Sequence, residues 1–253
     1  MISNCGHDEN GKYTGGKAGD QTGEEWAVIP WYDRPWNVIL RHPDGQVRAL
    51  IAQLAQECAE NDHIGYDQDS SSKNDAGRYS FWSRLAGVGY DPTKITKDCE
   101  TDCSGGVAAI VKAAGYLLGD KALQGVSIYS YTGNLKKALQ AAGFEALTDK
   151  KYLTSDEYLY AGDILLYEGH HTAINLTNGK YCAAYKVGWN KASNGKWWYS
   201  LDGTDKSYYS NGVYLIDHQY YAFDADGWLV QGKAEITTDD NGAINGVLQS
   251  DFF

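Results

Sequence analysis

The sequence predicts an α+β protein, and three observations lead there. Residues 44–61 carry Val47, Leu50, Ile51, Leu54, Ala55 and Cys58 at helical spacing. A second stripe, Val107, Ile110, Val111 and Ala114, follows Asp102. Between 162 and 176 the pattern changes to short apolar runs. Gly162 and Asp163 mark a turn, Ile164 to Tyr167 reads as a strand, Gly169 breaks it, and His171 to Leu176 reads as the next strand.

The remaining elements fall around these. Residues 1–25 are polar and glycine-rich and predict an irregular surface arm, with Asp20, Gln21 and Thr22 as candidates for the rim of a groove. Residues 26–41 are aromatic and interrupted by Pro30 and Pro35, which suits short extended pieces with Trp26, Trp31 and Trp36 packing inward. A polar loop is expected at 68–76, and a short helix at 78–86 ends at Gly87 and Gly89. The helix after Asp102 is expected to reach Gly115 and give way to a turn region. Residues 132–142 form another amphipathic helix and 144–147 a short strand. Residues 148–161 are a longer connection, and Asn178-Gly179 predicts a tight hairpin leading into a further strand through Cys182.

Composition narrows the function classes. The 253 residues include 22 basic and 33 acidic side chains, a net charge of −11, which disfavours nucleic acid as a partner. Five cysteines, Cys5, Cys58, Cys99, Cys103 and Cys182, are odd in number and lack CxxC spacing, so neither a disulfide framework nor a zinc site is predicted. Cys5 and His7 have no second ligand pair, and no metal or cofactor is expected. No apolar run reaches the ~18 residues of a membrane span, and the first residues lack a signal-peptide core. The expectation is a monomer made without a signal peptide.

Cys103 stands out among the cysteines. Asp102 is a favourable N-cap residue, which places Cys103 in the first turn of its helix. There the helix dipole and free backbone N–H groups favour thiolate, the nucleophilic form. His171, on a strand, supplies an imidazole that can act as base. The adjacent His170 points the other way by strand alternation.

Asp102-Cys103-Ser104-Gly105, then Gly162-Asp163-Ile164-Leu165, then His171-Thr172-Ala173-Ile174 resembles the NlpC-type cysteine peptidases, which hydrolyse peptidoglycan peptides. The resemblance covers roughly residues 46–187. It implies a papain-like core in which the cysteine helix packs on an antiparallel sheet carrying the histidine. It further implies Cys103 and His171 as the catalytic pair, with Tyr66, Asp102 and Ser104 at the substrate and Asp102 facing a free amine. The first 25 residues are similar to the start of phage and prophage lysins with this core. The implied activity is cleavage of stem-peptide amide bonds between D-glutamate and a diamino acid, at the cell wall after release or export. An amidase acting between muramic acid and L-alanine, and a wall-binding protein with a dead core, are the alternatives. The third polar residue that orients the histidine in this family aligns with Ala183, whose side chain cannot do so.

From Val187 the texture changes to aromatic and glycine-rich segments, which divides the chain into a peptidase domain at 1–187 and a β-rich module at 188–253. The segments around Lys196-Trp197-Trp198-Tyr199 and Tyr220-Tyr221 resemble the hairpin repeats of choline- and glucan-binding proteins. That resemblance implies Trp197, Trp198, Tyr220, Tyr221 and Trp228 as candidate wall-ligand residues, with a purely structural role for the same aromatics as the competing reading.

Overall fold

In a computed structural model, the structure describes residues 1–69, 77–182, 185–192, 194–204 and 207–249. Most of the polar loop expected at 68–76, and Ala183, lie outside them. The chain divides into two compact units, Met1–Gly179 and Lys180–Phe253.

The first unit is mixed α/β and built on a six-stranded antiparallel sheet. Its strands are β1 (Ile2–Cys5), β2 (Trp26–Ile29), β3 (Val38–Arg41), β6 (Glu145–Leu147), β7 (Ile164–Tyr167) and β8 (His171–Asn175), in the order β2-β1-β8-β7-β3-β6. A small parallel pair, β4 (Ile64–Tyr66) and β5 (Cys99–Thr101), stands apart from it. The helices are α1 (Gly45–Ala59), α2 (Ser80–Gly87), α3 (Cys103–Leu118), α4 (Lys121–Gln124), α5 (Leu135–Ala141) and α6 (Lys150–Leu153).

Strand alternation assigns the two faces of the sheet. Val38, Leu40, Ile164, Leu166 and Ile174 join Leu50, Leu54, Ala108 and Ile110 of α1 and α3 in the main core. Ile39, Leu165 and Ala173 point the opposite way, into a smaller cluster with Ile2, Trp36 and Leu159. At ~25 cal/mol per Å² of apolar surface, burial on both faces is the main stabilising term for this sheet.

Three expectations are corrected. Within the expected arm, residues 6–25 are irregular but Ile2–Cys5 is a strand: β1 pairs with β2 from Ile2↔Ile29 to Cys5↔Trp26, and with β8 through Ile2↔Asn175 and Ser3↔Ile174. Ser3 is tied to α1 by donating its hydroxyl to the Ala55 carbonyl, 2.7 Å away. Second, among the described residues no hairpin forms at Asn178-Gly179, where β1 already occupies the edge of β8 that a following strand would take. Asn178 instead accepts the Ala161 N–H at 2.8 Å, and Gly179 donates to the Leu159 carbonyl. Third, α3 runs past Gly115 to Leu118 and ends on Gly119 in the left-handed conformation. Gly115 lets α4 approach, since a Cβ there would lie 2.5 Å from the Gln124 backbone nitrogen.

Among the described residues, the second unit contains three antiparallel hairpins: β9 (Gly188–Lys191) with β10 (Trp197–Ser200), β11 (Gly212–Ile216) with β12 (Gln219–Phe223), and β13 (Ala234–Thr238) with β14 (Ile244–Gln249). Asp217 and His218, both at positive φ, make the two-residue turn between β11 and β12. Aromatic packing fills its interior. Tyr209 stacks on Tyr214 at 4.1 Å, and Trp189 lies 5.8 Å from the fully buried Phe223.

Candidate functional site

β5 delivers the chain to the start of α3. Asp102 caps the helix as expected, its Oδ1 accepting the Gly105 N–H at 2.6 Å and the Ser104 hydroxyl at 3.0 Å. Its Oδ2 faces Arg78 Nε at 2.6 Å, and Arg78 Nη2 also donates to Ser104 Oγ and to the Ser130 carbonyl. Of the three residues that the sequence placed at the substrate, Asp102 and Ser104 are therefore buried and turned to each other and to Arg78. The Asp102 carboxylate is thus ion-paired with Arg78 and caps the helix start.

Cys103 is buried in the first turn, where the backbone N–H groups of Ser104 and of Thr172, the residue after His171, favour its charged form. Burial pushes its pKa up to about 12, and the Asp102 charge adds to this. The two N–H groups and Arg78 pull the other way without prevailing. The thiolate expected from the helix start is thus not the resting form: loss of solvation outweighs the dipole.

His171 opens β8 and is buried, whereas His170 precedes the strand, exposed and stacked on Tyr167 at 4.1 Å. Gly169, at φ 81°, makes the turn that separates them from β7. The His171 ring packs 6.0 Å from Trp36, and its Nε2 lies 2.8 Å from Asn4 Oδ1. Burial, reinforced by the Arg34 guanidinium, draws its pKa down to about 4, so the ring is neutral near pH 7.

Asn4 is the residue that sequence reading missed. It lies in Ile2-Ser3-Asn4-Cys5, a four-residue run with no apolar alternation and too short to mark a strand. With its amide oxygen facing Nε2, Asn4 fixes the tautomer that carries the proton there and leaves Nδ1 as the basic nitrogen. Asn175, farther along β8, bonds the Tyr160 and Thr177 carbonyls.

A groove of about 510 Å³ opens over Asn4 and His171, and Cys103, Asp102 and Ser104 are not among its lining residues. Asn4, Tyr32, Arg34, Tyr66, His170 and His171 are among its lining residues. Tyr66 reaches the groove though nearly buried, and its hydroxyl accepts from Gln68 Nε2 at 2.8 Å. Burial, with Cys103 next in weight, raises its pKa and keeps the phenol neutral. Asp20 lies apart from the groove lining, its carboxylate closing a turn by accepting the N–H groups of residues 22–26.

In the second unit, Trp198 and Trp228 share a cavity of about 510 Å³ with Tyr185, Tyr208, Lys191 and Asp226. The other three candidates are not among its lining. Trp197 lies under the Lys191 ammonium, Tyr221 packs on Trp189 at 4.9 Å, and Tyr220 is exposed.

Residues 2–182 match the endolysin-like domain family. The match spans most of the chain, so the protein belongs to that family. Membership places it in general among phage-type peptidoglycan hydrolases acting on the cell wall. No curated protein and no solved structure matches. No helix among the described residues is long and apolar enough to cross a membrane.

Proposed function

We propose that the protein is a cysteine peptidase of the NlpC type, cleaving peptidoglycan stem peptides between D-glutamate and the diamino acid. The observation that carries this reading is that α3, which begins at Cys103, packs against β8, which begins at His171, and the His171 ring meets Asn4 Oδ1 through Nε2 at 2.8 Å. His171 Nδ1 takes the thiol proton as the sulfur attacks the amide carbonyl. Backbone N–H groups of the first turn stabilise the oxyanion. His171 returns the proton to the leaving amine, and water then hydrolyses the thioester. With thiol and imidazole both neutral at rest, attack is assisted by a general base and does not start from a preformed ion pair.

Asn4 supplies a polar partner for the histidine, the kind of group whose absence at Ala183 kept a dead core among the alternatives, and this supports the enzymatic reading over the binding-only one. The hairpin unit serves in this proposal as the wall-binding module. Mass analysis of digested peptidoglycan tests the reaction. New D-glutamate carboxylates and diamino-acid amines are expected, and none with Cys103→Ala. Free muramic carboxylates would identify an amidase, and undiminished release by Cys103→Ala would end the cysteine-peptidase reading.

A further inference from the structure

Arg34 has no role in the chemistry above, yet it lines the groove beside the histidine. Its Nη1 donates to the Tyr32 hydroxyl at 3.3 Å, and its guanidinium carbon sits 6.0 Å from the Trp36 ring centroid. Tyr32 in turn lies 5.8 Å from Trp36, ring to ring, and its hydroxyl is 3.5 Å from Asn4 Oδ1. Two aromatic side chains therefore hold the arginine against the same Asn4–His171 pair that serves the reaction.

What distinguishes Arg34 is the lack of a counter-charge. Arg41 is paired with Asp163 and Arg78 with Asp102. Among the described residues no carboxylate pairs with Arg34, and no Asp or Glu lines the groove, in a chain with 33 acidic residues. A guanidinium offers five N–H donors in a planar fork that matches a carboxylate, and only one contact is used here.

We propose that Arg34 forms a subsite for a substrate carboxylate next to the scissile amide. This rests on the stem-peptide reading above. There the ligand is the free α-carboxylate of γ-linked D-glutamate, which sits a few bonds from the amide under attack. The subsite separates substrates whose D-glutamate is free from those in which it is amidated. It also suits a site where Asp102 is committed to Arg78, since recognition then comes from an anion on the substrate and not from a free amine.

The test uses two N-acylated L-alanyl-γ-D-glutamyl-diamino acid peptides, one with the α-carboxylate and one with the α-carboxamide, at pH 7. The wild-type chain is expected to cleave the carboxylate peptide with a kcat/KM about 10- to 100-fold higher, the range of one charged hydrogen-bonded contact. Arg34→Gln should bring that ratio close to one, and Arg34→Lys should retain part of it. Equal rates in the wild type, or an Arg34→Gln variant that slows both peptides by the same factor, would overturn the subsite. Calorimetric binding of both peptides to the full-length Cys103→Ala chain separates this outcome from failure of the hydrolase reading. Carboxylate-selective binding that Arg34→Gln removes, without cleavage by the wild type, leaves the subsite standing and the reaction wrong. Absence of any binding rejects the subsite as well.

Discussion

His171 Nε2 lies 2.8 Å from Asn4 Oδ1, although the residues are 167 positions apart. The contact exists because β1 folds back beside β8, so the first strand of the chain meets the His171 ring, the base of the proposed reaction. Asn4→Ala is expected to lower kcat about 10- to 100-fold with little change in KM, the scale of one hydrogen bond to the imidazolium formed during reaction. Asn4→Asp keeps an acceptor and should retain more activity while moving the acid limb of the rate profile upward. Kinetics that respond only through KM would assign Asn4 to substrate binding instead.

In the proposed reaction the histidine sets the acid limit. Its pKa is drawn down to about 4, so kcat/KM for a soluble peptide should persist well below the ~6.5 of an ordinary imidazole and fall near pH 4. The unfolded chain binds this proton below ~6.5 and the folded chain only near 4. The stability tied to neutral His171 is therefore present above ~6.5 and lost as pH falls from there to about 4. A pH–rate profile paired with melting curves from pH 4 to 8 checks both; an acid limb at 6.5 would contradict the buried, neutral ring.

The Cys103 thiol, at about 12, should react slowly with iodoacetamide at pH 7 and accelerate about tenfold per pH unit with no plateau near 8.5. Peptide mapping is expected to find Cys103 modified ahead of Cys5 and Cys58, whose thiols burial also raises and which lie inside the main core. A plateau below pH 9 would reveal a thiolate–imidazolium pair at rest.

Arg78→Ala removes the ion-pair partner of a nearly buried Asp102 at the head of α3. The expected loss is roughly 3–5 kcal/mol of stability, the cost of leaving one member of a buried pair alone. Urea denaturation measures it. A loss under about 1 kcal/mol would place the pair with solvent-screened surface bridges.

Trp198→Ala and Trp228→Ala alter the aromatic walls of the cavity in the hairpin unit. Each is expected to weaken pull-down on intact walls roughly tenfold, as loss of a central aromatic contact does. Cleavage of a soluble peptide should stay at the wild-type rate. Unchanged wall binding in both variants would favour aromatics that only hold the unit together.

Much of the frame was legible in the residues. The stripe from Val47 to Cys58 gave α1, and Asp102 gave the cap that sets Cys103 in a first turn. The break at Gly169 separated β7 from β8, and the loss of helical spacing after Val187 anticipated β-structure there. These features are local, so periodicity and capping chemistry determine them. The tertiary structure decided what depends on distant neighbours. Ile2 to Cys5 is too short and too polar to announce a strand, and becomes one because β8 offers an unpaired edge. That pairing displaced the strand expected after Asn178 and brought Asn4 to His171. Arg78 neutralised Asp102, and burial raised the Cys103 thiol against the helix dipole. Sequence fixes which groups can do chemistry; desolvation and partner choice, which only packing sets, fix their charge and orientation.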